Sequence, residues 1–433
     1  MATGNTKNIR IDVQHITRLE GHGNIVVDVR EGVLEQCDLQ IVEAPRFFEA
    51  MMRGRPYEHV SHIASRICGI CAVTHATASL RACENALGVQ PSSQTILLRQ
   101  LNLYGELLDS HILHIYMLVA PDLLDVGSVI PLAEAAPDIV KRALRMKKVA
   151  GDLCAIICGR HTHPIAMTVG GFAHYPSREE LGDIRERLVN MRGDLDETAE
   201  LFHGLTLPSF QRETEYIALH RDGAYCLCDG SIQSSDGGTW VAESYQNVTN
   251  EFIVPHSTAK HARNRRAAYM VGALARFNIN HDDLHPRAKA VAAGLGLRPM
   301  CSNPYLICIA QLVECVHSVE EAIQIVDHLL ATGIAPEVPA PTLRRSGEGV
   351  GACEAPRGTL FHHYRIEDGL ISEANCVIPT AQNLGNIEAD MRELVPRILN
   401  RSPEEIKRWL EMLVRAYDPC ISCSAHTLQV SFR

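Results

Sequence analysis

The chain has 433 residues, more than one ordinary hydrophobic core covers, so its length favours two or more packed subregions. With 41 Lys and Arg against 51 Asp and Glu, the formal charge is −10, which excludes the broad basic field of a nucleic-acid-binding protein. Apolar residues at 46% and charged residues at 21% exclude a disordered chain, and they leave 15 cysteines and 21 histidines to be accounted for.

The first residues, MATGNTKNIRID, carry no apolar segment or cleavage site of a secretory signal. The most apolar stretch, Leu107 to Leu124, is interrupted by Asp109, His111, His114 and Asp122, too polar for a spanning helix. A cytoplasmic chain with no transmembrane segment is therefore expected, with reduced thiols and no disulfide framework.

In chain order, Ile9, Ile11 and Val13 alternate, and Ile25 to Val29 and Val33 to Val42 flank the turn residues Glu31 and Gly32, predicting a small antiparallel sheet. Beyond Arg46 the apolar spacing turns helical over Tyr57 to Gly88, Ser93 to Leu118, Pro137 to Cys158, Ser177 to His203 and Thr258 to Phe277. Asp222 to Gly238 and Gly333 to Gly358 read as long loops from their Gly, Ser, Asp and Pro content. Tyr364 to Pro379, with Asp368-Gly369 at its centre, predicts a hairpin. Ser402-Pro403-Glu404-Glu405 supplies an N-cap, a proline at the first helical position and a capping box. Ile406, Trp409, Leu410, Leu413, Val414 and Tyr417 then form one stripe, and Asp418-Pro419 ends the helix.

The expected fold class is α+β, mainly α: a helical bundle core with a small N-terminal antiparallel sheet and a C-terminal hairpin. Residues 1–45 form the β-rich part and 46–330 the mainly helical part. Residues 331–433 carry the second loop, the hairpin and the last helix.

Two C-x-x-C units lie near opposite ends: Cys68-Gly69-Ile70-Cys71 followed by His75, and Cys420-Ile421-Ser422-Cys423 followed by His426. Two residues between thiols let a tight turn aim both sulfurs at one metal, and Gly69 permits the bend such a turn can need. Soft thiolates select zinc, copper(I), iron clusters or nickel, and spacing alone does not choose between a structural zinc and a redox metal. A thioredoxin-like role fits less well, because neither pair follows a strand that opens a βαβ unit.

These residues resemble the large subunit of nickel-iron hydrogenases. The resemblance is carried by Arg66-x-Cys68-Gly69-x-Cys71-x-x-x-His75 and Asp418-Pro419-Cys420-x-x-Cys423-x-x-His426. It continues through Arg18-Leu19-Glu20-Gly21-His22, Phe48-Glu49, Ser110-His111, His163-Pro164, Leu274-Ala275-Arg276-Phe277-Asn278, Glu354-Ala355-Pro356-Arg357-Gly358 and Pro379-Thr380. The blocks are most similar to the soluble cytoplasmic branch, whose partners are diaphorase-like or heterodisulfide-reductase-like.

The resemblance implies a nickel-iron centre with carbon monoxide and cyanide on the iron. Cys68 and Cys420 would be terminal on nickel, and Cys71 and Cys423 would bridge. Cys420 would take a proton from dihydrogen, Glu20 would relay it, Arg357, oriented by Asp418, would place the substrate and stabilise the cyanides, and Pro356 would be among the cofactor-binding residues. His75 and Thr380 would hydrogen-bond a bridging sulfur and a cyanide. Glu49 and His426 would hold a separate magnesium or iron(II) ion. Electrons would leave through the iron-sulfur small subunit of the hydrogenase. The related alternative is a metal-free or zinc-bearing scaffold protein like the quinone-site subunit of respiratory complex I. Two departures stand out: Thr427 to Arg433 follow the last histidine, where family precursors are trimmed, and Ser110 stands where uptake-type members tend to place aspartate.

Overall fold

The computed structural model describes residues 8–425. About half of the chain is helical, and the remainder includes several small sheets. No helix among the described residues is long and apolar enough to cross a membrane. Strands Ile9–Val13, Gly23–Arg30 and Val33–Ile41 form an antiparallel sheet in chain order. Its alternation buries Ile9, Ile11, Val13, Ile25, Val27 and Val29 on one face.

Four long helices, Ser93–Leu113, Pro137–Cys158, Arg178–His203 and Ile307–Thr332, pack on one another. The last of them, absent from the sequence expectations, is buried along most of its length because its first turns are apolar nearly all round. Helix Pro403–Ala416 begins at Ser402 with both arms of the capping box formed, as Ser402 and Glu405 predict. Of the cysteines outside the two pairs, all but Cys228 and Cys301 are buried.

Three expectations need correction. The segment Tyr57 to Gly88 is not one helix: it divides into Tyr57–Ala64, a short turn Ser65–Ile67 and Ala72–Leu87, and the break holds the first cysteine pair. The helix can restart there because its first N–H groups find other acceptors. The Cys68 sulfur accepts from Ile70 and Cys71, each at 3.2 Å, and the Glu106 carboxylate accepts from Val73 and Thr74 at 2.7 and 2.9 Å. Gly69 is not left-handed and a Cβ there would meet nothing, so the bend does not depend on glycine.

Between Thr258 and Phe277 only Ala273 onward is helical, in Ala273–Asn280. Tertiary partners claim the donors of the preceding residues. His261 and Phe252 exchange backbone hydrogen bonds, Glu215 accepts from Arg265 and Arg266, and Tyr269–Met270 pairs with strand Glu215–His220.

The two loop segments also contain strands. Ser231–Ser234 pairs with Glu215–His220, and Gly347–Ala355 pairs with Gly358–Glu367, which pairs with Leu370–Val377. The glycines that suggested a loop fall at every second position. A Cβ at Gly347, Gly349 or Gly351 would overlap the backbone of Ala86 or Ala78, so their bare face lets the strand lie directly on helix Ala72–Leu87.

Candidate metal centre

The two cysteine loops meet in the interior, with the Cys68 and Cys420 sulfurs 3.6 Å apart. The sulfurs of Cys68, Cys420 and Cys423 lie within 4.8 Å of one another, and a second group of the same size joins Cys71, His75 and Cys423. All four cysteines are buried. The sulfurs of Cys420 and Cys423 lie in direct contact, and ligation calls for both as thiolates. A hydrogen bond from the Cys71 thiol holds the Cys68 thiol down at about 7 against burial, assisted by the Arg357 charge and the N–H groups of Cys71 and Ile70. Four converging sulfurs, one already biased toward thiolate, are a donor set that fits a soft redox metal such as nickel.

Non-local contacts seat the second loop. Asp418, the residue after the turn that ends the last helix, has φ +52°, which swings the chain back toward the site. The Thr380 hydroxyl accepts the Cys420 N–H at 2.9 Å, so this side chain, expected at a cyanide, is also engaged with the loop backbone. Glu20 lies beside Cys420 as an isolated parallel bridge, and its Oε2 is 3.2 Å from the Cys420 sulfur and accepts the Ser422 N–H at 3.0 Å. Gly21 follows with φ +86°, where a Cβ would press on Ile421 and Ser422.

Pro356 and Arg357 form the two-residue turn between strands Gly347–Ala355 and Gly358–Glu367, so the arginine sits at a hairpin tip. Its Nε donates to the Asp418 carbonyl and its Nη2 to Asp418 Oδ1 at 2.8 Å. Burial opposes the charge on Arg357, but Asp418 foremost, with the nearby sulfurs of the cysteine centre, outweighs it and raises the pKa above its ordinary value. These contacts hold the guanidinium in its charged form.

His75 Nδ1 is 3.0 Å from His362 Nε2, and His362 leads on to the Tyr364 hydroxyl at 2.6 Å. Glu49 Oε1 accepts the Cys376 N–H at 2.8 Å. His426, expected to share an ion with Glu49, lies outside the described residues, as does the tail after it.

Several residues that position the site escaped the sequence reading. Arg46 Nη2 donates to Ile67 O at 2.5 Å and to Ser422 O at 2.6 Å, tying one cysteine loop to the other. Asp122 accepts from both Arg18 and Arg415, and Arg415 also donates to Thr17 O, which fixes the Glu20 segment against the last helix. Arg276 donates to Ala355 O at 2.8 Å and Pro356 O at 3.1 Å, holding the turn that carries Arg357. Its charge is met by Glu314 and Glu354, and His111 Nε2 is 2.8 Å from Glu314. Burial pushes the Glu314 carboxyl up, but Arg276 and His111 prevail and hold it well below the usual range. The only sequence signal was the block Leu274 to Asn278, in which no role for Arg276 was legible.

Residues 46–142 and 256–426 match the family described as Nickel-dependent hydrogenase. The chain is 33% identical over 423 residues to the alpha chain of sulfhydrogenase 1 of Pyrococcus furiosus, covering 97% of this chain and 98% of the relative. It is 30% identical over 466 residues to a chain of the F420-non-reducing hydrogenase of Methanothermobacter thermautotrophicus, covering 98% and 96%. A crystal structure of an NAD+-reducing [NiFe]-hydrogenase in the H2-reduced state superimposes with a TM-score of 0.86 at 27% identity, covering 98% of this chain and 100% of that one.

Proposed function

Because the chain belongs to the nickel-dependent hydrogenase family and is the large subunit of a [NiFe] hydrogenase, we propose how its residues divide the work of splitting dihydrogen. The observation that carries this reading is the convergence of both cysteine pairs with a carboxylate 3.2 Å from one sulfur. Cys68, Cys71, Cys420 and Cys423 would hold nickel, Cys71 and Cys423 also reaching an iron that carries carbon monoxide and cyanide. When bound, that group supplies an open redox-active position at which dihydrogen is polarised.

The reduced Cys420 thiolate takes the proton, because it is the ligand sulfur within reach of a carboxylate that can pass the proton on. Glu20 relays that proton toward solvent. Arg357 keeps its charge and positions the substrate, with Asp418 fixing two of its nitrogens and Pro356 shaping the turn. His75 steadies the bridging sulfurs, its other neighbour His362 setting the ring orientation. Thr380 supports the Cys420 backbone and would offer its hydroxyl to a cyanide. Glu49 with His426 would hold a magnesium or iron(II) ion.

Electrons pass to an iron-sulfur small subunit in the cytoplasm and from it to a diaphorase-like or heterodisulfide-reductase-like partner. The named relatives are subunits of hydrogenases, which supports a heteromeric assembly. The scaffold alternative related to complex I is not favoured, since the family match spans both cysteine pairs. Infrared spectra of the purified complex test the reading: bands of metal-bound carbon monoxide and cyanide are expected, and a nickel-loaded sample without them would overturn it.

A further inference from the structure

The irregular segment between Thr249 and Tyr269, of which only the part from Thr258 onward was expected to be helical, carries a second cluster of metal-binding side chains. His256 Nε2 is 2.7 Å from Glu388 Oε1, and ligand atoms of His256, His261 and Glu388 all lie within 4.8 Å of one another. Glu388 sits on helix Pro379–Ile398, two turns or about 12 Å beyond Thr380. The cluster shares no residue with the four cysteines or with Glu49 and His426.

An ion pair between His256 and Glu388 accounts for two of the three residues and leaves the third unexplained. His261 is only 3% exposed, yet its Nε2 has no hydrogen-bond partner, an arrangement that buried polar groups ordinarily avoid. Its ring packs edge-on against Phe252 and against His256, so neither neighbour supplies the missing acceptor or donor. Burial, reinforced by the nearby His256, lowers its pKa to about 4, which keeps the imidazole in the neutral form that binds metals.

The backbone that presents these groups is held in place. Thr258 donates from its N–H to Ile41 O at 3.0 Å and from its hydroxyl to Glu43 O at 2.7 Å, while Phe252 and His261 bridge the two ends of the loop. Glu388 Oε1 is anchored by the Leu39 N–H at 3.0 Å. Two imidazoles and a carboxylate bound at zinc distances stand about 3.3 Å from one another, so a metal would part His256 from Glu388 slightly and draw His261 in. His256 is partly exposed, which leaves a route for the ion and a fourth position for water.

We propose that His256, His261 and Glu388 form a second metal site, separate from the cysteine centre, that takes a divalent ion of the zinc class and pins this loop to the N-terminal sheet and helix Pro379–Ile398. Imidazole nitrogen with one carboxylate oxygen is a donor set suited to such an ion.

The test compares the purified complex with its His261→Ala variant after exposure to zinc chloride and desalting. Both keep the cysteines, so zinc bound elsewhere is a constant background. About one more zinc per chain in the wild type, with a zinc-dependent rise in the unfolding temperature that the variant lacks, is the expected result. Equal zinc contents, or no retained zinc in the wild type, would overturn the site and leave His261 a neutral core residue. If His261→Ala does not accumulate as folded protein, His256→Gln at the exposed edge carries the same comparison.

Discussion

The two cysteine loops share a spacing but not a means of support. The first is a break between Ser65–Ile67 and helix Ala72–Leu87, and its N–H groups are met by its own Cys68 sulfur and by Glu106 on the adjoining helix. The second follows the last helix and is seated by residues from the whole chain: Glu20, Arg46, Arg357 and Thr380. A binuclear centre built this way cannot form until the two ends of the chain are folded together. The first loop belongs to the helical core, whereas the second closes the site.

Breaking the second loop should therefore cost more function than breaking the first costs stability. The largest effect is expected for Cys420→Ser, which removes both a ligand and the proposed base: hydrogen activation should fall by at least about 10³-fold, while circular dichroism stays that of the wild type. Activity retained in a washed, metal-analysed sample would move the base elsewhere. Next is Asp122→Ala, which strips the partner from Arg18 and from the buried Arg415. A loss of about 3–5 kcal/mol is expected for removing one side of such a buried pair. Denaturant unfolding checks the loss, and nickel content should fall with it because Glu20 and the second loop lose their common anchor.

The same contrast explains what could be read from sequence. The last helix was legible because Ser402 and Glu405 cap each other within one turn, and the N-terminal strands because one face alternates. Both cysteine pairs were legible as candidates from their repeated spacing. Helix was wrongly expected over the part of Thr258 to Phe277 that precedes Ala273, since the carbonyls and carboxylates that capture its N–H groups belong to Thr249, Phe252 and Glu215. The Gly347-x-Gly-x-Gly run looked like a loop because nothing local says that a helix backbone will lie on it. Arg46, Asp122 and Arg276 were invisible for a related reason: an ordinary charged residue becomes a positioning residue only through partners that the fold supplies.

Glu20→Gln isolates the proton route from the metal ligands. The amide keeps the side chain's shape and still offers an acceptor to Ser422 N–H, but cannot carry the proton onward. Hydrogen–deuterium exchange with water should drop roughly 10²-fold while para-to-ortho conversion of dihydrogen persists. Equal losses in both assays would mean that Glu20 supports the loop and does not relay protons.

The smallest effect concerns the first loop. Burial raises the Glu106 carboxyl to about 8, partly offset by hydrogen bonds from Thr74 and Val73 and reinforced by the nearby Cys68 thiolate. A carboxyl raised in the folded state binds its proton more tightly there than when unfolded, so its contribution to stability is complete below about pH 4.5 and is lost as the pH rises through about 8. The slope is at most about 1.4 kcal/mol per pH unit between those limits. Glu106→Gln cannot ionise and should flatten that part of the profile; its NH2 faces one N–H that the carboxyl accepted, so the variant starts less stable at pH 5 and the gap to wild type narrows toward pH 8. Unfolding temperatures of the two proteins across that range measure the difference. An unchanged slope would mean that the carboxylate stays ionised at the helix start, and that the first loop, like the second, is held by a charge.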